Sequence, residues 1–506
     1  MASGWNSGNS EIVALTITII ISSSMSTPKI IVHGSGDELQ EGDEDHHPDI
    51  EAGDGGGTTT TSSTRAAAPG RERLVSLDVF RGITVALMII VDDVGGLIPK
   101  ISHSPWDGAT LADFVFPFFL FVVGISLAFA YKRVSNRVSA TKKAVLRAGK
   151  LFLLGLLLQG GFFHNIHDLT YGVDIGKIRL MGVLQRIAMA YLVVALCEIW
   201  LRDGREGGIG SGYAIIRKYR CQLLVGLVLT STYTVILYCL PVPDWVYNVT
   251  SSDSTMKHFV VKCGVRGHTG PGCNVVGMID RSIFGIQHLY TRPVYLKTEW
   301  CSIDSPNNGP LPSDAAPWCE APFDPEGLLS SLMAIVTCLV GLQFGHVIIH
   351  FKEHDERMVR WSLSALSLLA LGFSLDLLGL RMNKSLYSLS YTCVTAGTAG
   401  LFFTGIYLLV DVYGYKRPVL PMELMGKHAL MIFVLVACNV APILLQGFYR
   451  RMMQLQRDRC WVRWDPHLDL TIHTTVEKVS VARDKRKLQT TNAAGRLHSC
   501  SCEGYD

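Results

Sequence analysis

The chain has 506 residues, 48% of them hydrophobic and only 18% charged, and its mean hydropathy is +0.28, which is too apolar for a water-soluble protein. Its apolar stretches are too often interrupted to form one hydrophobic block. A net charge of +3, scattered loop by loop, says little about partners and gives nucleic-acid binding no support. What remains is a polytopic membrane protein, read as an all-α helix bundle.

Residues 1–73 are mostly Gly, Ser, Thr, Asp and Glu, a composition that cannot bury enough surface to fold, so a disordered tail is expected. Within it, IVALTITIIIS at 12–22 has the length of a signal-peptide core but lacks the preceding basic residues, and Met25 is an alternative start. The bundle proper is assigned to 74–449. Its apolar stretches lie near 79–98, 111–131, 149–164, 180–201, 221–241, 327–349, 361–380, 391–412 and 424–447, predicting about nine spans.

Basic residues crowd two of the links, Lys132 to Lys150 and Arg202 to Arg220, which the positive-inside rule places in the cytosol. Alternation then puts the links around His103, Asn165 and Asn383, and the long loop 242–326, on the lumenal side. That loop carries Cys263, Cys273, Cys301 and Cys319 and the glycosylation acceptor Asn248-Val249-Thr250, both of which need a non-cytosolic compartment. Four cysteines allow three pairings, of which Cys263 with Cys273 and Cys301 with Cys319 is the simplest. The loop is rich in Gly and Pro and is expected to be a stapled cap without a core of its own. A second acceptor, Asn383-Lys384-Ser385, lies too close to a span to be used. Residues 450–506 hold no apolar run of spanning length and many basic residues, on the side disfavoured by parity, so the bundle is expected to lack a returning span and to be impaired by it.

Ionisable residues fall where a plain membrane hairpin has none. Asp92 and Asp93 lie near the end of the first apolar stretch and Asp113 opens the second, and polar groups kept inside a membrane mark a functional site. Between them the link HSPWDG offers His103, whose ordinary pKa of about 6.5 suits proton transfer. Read alone, His103 is as well explained as a loop histidine capping the next helix, and Asp113 as an acid at a helix N-terminus. Consecutive helical residues point about 100° apart, so only one of Asp92 and Asp93 faces the pocket. Arg81, Arg147 and Lys150 are candidates for binding the phosphates of a donor, against the plainer readings of an Arg81 pair with Asp78 and of a link that only sets topology. Gln185 and Arg186 sit within a span and need polar partners; His428 is read as a core residue, and His164 and Asn165 as lining the lumenal mouth. The histidines have no metal-ligand spacing, and no metal is expected.

The segments LDVFRG, MIIVDDVGG, HSPWDG running into LADFVFPFFLFVVG, GVLQRIAMAY, FDPEGLLSS and NKSLYSLSY occur in one order between Arg73 and Tyr449. Together they resemble the heparan-alpha-glucosaminide N-acetyltransferase family, its plant-type members most closely. The resemblance implies a multi-span enzyme carrying acetyl from acetyl-CoA to an amino sugar or other amine. It also implies His103 at the catalytic centre, Asp113 orienting it, and Asp92 where animal members have a catalytic-site Asn. A carboxylate cannot donate to an oxyanion, so Asp92 is assigned as counter-ion for the acceptor amine. The expected setting is a vacuolar or lysosome-like membrane with its lipids, and a homo-oligomer stays open. A transporter of a small polar solute and an inactive truncated relative are the competing readings.

Overall fold

The computed structural model describes residues 74–437 apart from short gaps at 96–97, 99–100, 133, 161, 164–170, 173–177, 203–211, 251–255 and 308. The expected disordered tail, the basic tail, His164 and Asn165 lie outside the described residues. The long helices are α1 (Val75–Val94), α2 (Leu111–Ala130), α3 (Arg137–Gly160), α4 (Val183–Trp200), α6 (Arg220–Cys239), α8 (Leu328–His350), α9 (His354–Leu377) and α10 (Leu389–Tyr407). Shorter ones are α5 (Gly212–Lys218), α7 (Val275–Phe284), α11 (Leu420–Lys427) and α12 (Ala429–Ala437).

Each of the nine apolar stretches overlaps a helix among the described residues, but six of the helices are long and apolar enough to cross a membrane, or seven if α11 and α12 count together. Among the described residues, the expectation of about nine spans is therefore not met in full, for two reasons. Helix α1 carries Asp78, Arg81, Asp92 and Asp93, and α3 opens on a basic half, so neither is uniformly apolar. The apolar part of α3, from 149 on, ends at Gly160 rather than 164 and rises only about 18 Å, short of a bilayer core. The last stretch is broken, with α11 and α12 meeting at 75°. His428 sits exposed at that break, not in the core.

Helices α2, α8 and α10 form the centre. Helix α2 lies so close against α8 that a Cβ on Gly124 would overlap the backbone at Cys338 and Gly341, and one on Gly341 the backbone at Phe121. Small residues thus let the two helices approach, as they do where no hydrophobic effect drives association. Phe80, Phe118, Phe121, Phe344, Trp361 and Phe403 fill the space toward α1, α9 and α10. Helices α6 and α9 turn rows of exposed apolar residues outward, Leu223, Leu227 and Val235 on one and Leu363, Leu366 and Phe373 on the other, the surface a lipid environment would cover.

The loop 242–326 closes one end of this bundle. It differs from the expected coreless cap. A hairpin, β1 (Trp245–Thr250) with β2 (Met256–Val261), is antiparallel with Trp245 opposite Val261, and Tyr247, Val261 and Ala321 make a small core beneath it. The disulfides are Cys263 with Cys273 and Cys301 with Cys319. Asn274 caps α7 by accepting from the Gly277 amide at 2.7 Å.

Asp280 of α7 fastens the cap to the bundle. Its Oδ1 accepts from the Leu328 amide, the N-terminus of α8, at 2.8 Å, and its Oδ2 is buried with no partner among the described residues. Burial, then the neighbouring Asp324, push its carboxyl up to about 7, although the Leu328 amide, Arg186 and Arg281 oppose them. A carboxyl raised in the folded state contributes stability that is full below its unfolded value near 3.8 and is lost as pH rises through about 7. Cap stability in detergent, read by hydrogen exchange on α7, is therefore expected to fall between pH 5 and 8. Asp280→Asn should flatten that dependence, and an unchanged slope would remove Asp280 as its source.

Candidate active site

The link between α1 and α2 lies under the cap. Trp106 is buried there, its ring edge-on to Tyr295 and Phe323 and its indole N–H donating to the Thr269 carbonyl at 3.1 Å. Gly108 donates to the Met382 carbonyl at 2.8 Å, and Asn383 Nδ2 to Asp107 Oδ1 at 3.3 Å, which ties the link to the entrance of α10. The helix α2 starts at a capping box, where Thr110 precedes Asp113 by three residues and its amide donates to Asp113 Oδ2 at 2.9 Å. Ser104 adds a second amide to the same oxygen at 3.2 Å.

With Oδ2 held this way, Asp113 Oδ1 is left for His103 Nδ1, at 2.8 Å. Asp113 is fully buried while the His103 side chain keeps 34% of its exposure, so the imidazole is gripped from inside and open from outside. Lys384, from the NKSLYSLSY segment, closes the cluster. Its Nζ lies 2.9 Å from His103 Nδ1, 3.2 Å from Nε2 and 3.5 Å from Asp113 Oδ1. With Nδ1–H donating to Asp113, Nε2 keeps its lone pair. Burial, then the Lys384 charge, lower the imidazole pKa against the pull of Asp113. The result is an imidazole held in one orientation and biased toward its neutral form.

Around this cluster lies a ring of charge. Arg179 binds Asp324 with both ends of its fork, at 3.0 and 2.6 Å, and also Glu326. Burial raises Glu326, but Arg179, Arg186 and Lys384 outweigh it and hold this carboxyl low, close enough to His103 to act on it. Arg186 donates to the Pro325 carbonyl at 2.7 Å and to Ser330 and Ser331, between the rings of Phe116 and Tyr387. Lys297 reaches from the cap to Ser102 Oγ at 2.8 Å.

A model of the family described as heparan-alpha-glucosaminide N-acetyltransferase, catalytic, matches residues 73–207. The heparan-alpha-glucosaminide N-acetyltransferase of Mus musculus is 27% identical over 377 residues, 72% of this chain and 53% of that protein. The one of Homo sapiens is 27% identical over 391 residues, 72% of this chain and 52% of that protein. These likenesses run through the same stretch that carries the His103 link. The chain spans about half the length of the curated relatives it matches.

The region that the family model matches, 73–207, holds His103, Asp113, Asp92, Arg81, Arg147 and Lys150, and the structure divides them between two ends of the bundle. His103 and Asp113 are in contact. Asp92 ends α1 with its side chain exposed, and the turn after it reaches the same link, since a Cβ on Gly95 would lie 3.6 Å from the Ser102 Cα. Arg81 sits at the other end of α1, paired with Asp78 at 2.9 Å and donating to Ser126 of α2 at 3.0 Å. Arg147 lies near enough to act on the Arg81 charge and stands over the Tyr191 ring at 5.3 Å, with Lys150 half-buried three residues on. Lys384, Lys297 and Glu326 were not singled out. Lys384 was legible only as part of the NKSLYSLSY segment and of a glycosylation acceptor, and the structure buries that Asn383, whose Oδ1 accepts from the Leu386 amide at 2.9 Å.

Proposed function

We propose that this chain is a membrane acetyltransferase that takes acetyl from cytosolic acetyl-CoA and delivers it to the amino group of a lumenal, amino-sugar-like acceptor, in a vacuolar or lysosome-like membrane. The observation that carries this reading is the contact of His103 with the buried Asp113 at the open, capped end of the bundle. The donor's phosphates would lie at the Arg81, Arg147 and Lys150 end, where guanidinium and ammonium groups suit them. Along α1 that end is roughly 17 Å from Asp92, a span suited to a cofactor whose reactive thioester ends a long arm. The acceptor nitrogen attacks the acetyl carbonyl carbon, the C–N bond forms, the C–S bond breaks and coenzyme A leaves as thiolate. His103 Nε2 takes the proton shed by the nitrogen, Asp113 stabilises the imidazolium, and the Lys384 ammonium faces the developing oxyanion. Asp92 would hold the acceptor's ammonium before it reacts. Asn248, exposed on β1, and the two disulfides accord with a lumenal cap.

Sealed vesicles with glucosamine inside and radiolabelled acetyl-CoA outside test the reading. Labelled N-acetylglucosamine is expected to accumulate inside. A vesicle that takes up glucosamine without any need for acetyl-CoA would instead identify a transporter.

Lys384 has its own signature. Removing its charge in Lys384→Met raises the His103 pKa, and the base works only when neutral. The acid limb of the pH profile of kcat/KM is therefore expected to move to higher pH. A limb that stays in place would mean that the ammonium does not set the protonation of His103.

A further inference from the structure

Two Trp-Cys pairs, Trp300-Cys301 and Trp318-Cys319, take no part in the chemistry above. The Cys301–Cys319 disulfide brings them side by side, so each indole enters the same part of the cap surface. There they border a cleft of about 680 Å³ whose opposite wall is Pro105, Trp106 and Asp107, the direct continuation of the His103 link. Trp318 is held edge-on against Tyr295, 5.5 Å away, whereas Trp300 keeps 71% of its surface exposed and buries little. Glu299 and Asp107 add two exposed carboxylates, and among the described residues lining the cleft there is no Lys, Arg or His. The nearest cation along the chain, Lys297, is turned away onto Ser102.

Indoles beside carboxylates bind a flat, partly apolar ring that carries positive charge. An ammonium is attracted both by an indole face and by a carboxylate, while sugar carbons cover the rest of the ring. The same lining repels sulfate and uronate. On the reading given under Proposed function, we propose that this cleft is the acceptor site and that it selects a cationic, unsulfated glucosamine oligosaccharide over an anionic, sulfated glycan. The amine would be received at Asp107 and Glu299 and passed along the link, one residue of which, Ser104, separates Pro105 from His103.

The test is direct binding to the full chain in detergent micelles, with three probes: a glucosamine trimer, its fully N-acetylated counterpart, and an O-sulfated glucosamine–uronate disaccharide. The glucosamine trimer is expected to bind at least about tenfold more tightly than either of the others. Trp300→Ala and Glu299→Gln should each weaken it by about tenfold. Both side chains are exposed, and the nearly isosteric Glu299→Gln carries the test should Trp300→Ala fold poorly. Equal or tighter binding of the sulfated disaccharide, or wild-type binding by Glu299→Gln, would overturn the assignment. The two readings fail separately. Trimer binding in this order with no acetyl transfer by wild type would sink the enzyme and keep the cleft. Transfer that depends on His103, with binding indifferent to Trp300 and Glu299, would do the reverse.

Discussion

His103→Ala is expected to lower acetyl transfer into sealed vesicles by about 10²- to 10⁴-fold, the range for loss of a positioned general base. The side chain is one-third exposed and contributes little apolar burial, so insertion and the cap disulfides should be intact in the same preparation. The neighbouring acid gives a graded control. Asp113→Asn keeps the shape of the side chain and can still accept from the Ser104 and Thr110 amides, but it removes the charge that stabilises the imidazolium. It should cost less than loss of the imidazole itself. Equal yields of acetylated sugar from wild type and His103→Ala would refute the base, whatever Asp113→Asn does.

Arg186→Met is expected to destabilise the bundle by about 3 kcal/mol, the lower part of the range for breaking a buried ionic network. Two effects set the size. The Pro325 carbonyl and the Ser330 and Ser331 hydroxyls lose their donor where water is excluded. The acids Asp280, Asp324 and Glu326 lose a compensating charge. Arg179 still grips Asp324 and Glu326, which is why the upper end of the range is not expected. Because these contacts join α4 to the start of α8, the loss should appear in thermal unfolding before any effect on donor binding. Arg186→Lys retains the charge without the fork and should fall between. A Met variant as stable as wild type would mean that removing the Arg desolvation cost offsets every contact it makes.

By itself the sequence determined the class of the protein, the positions of its most apolar helices and the nearness of His103 to Asp113. The apolar stretches are long and contiguous, so local hydropathy locates α2, α4, α6, α8, α9 and α10 without knowledge of their partners. His103 and Asp113 are readable because they are only one link apart, and a capping box at Thr110 leaves little freedom in where the acid can point. The disulfides joined cysteines that are near in sequence, the simplest of the three pairings. Tertiary structure decided everything that depends on distant segments. Lys384 meets His103 across 281 positions, and Arg179 meets Asp324 across 145, contacts that no local period encodes. The break between α11 and α12, the small core under β1 and β2, and the side-by-side placement of Trp300 and Trp318 likewise follow from packing against other elements. Hydropathy reports how a stretch partitions between water and lipid. Which polar groups converge inside the bundle is set by how the helices dock, and that is where the chemistry of this chain is assembled.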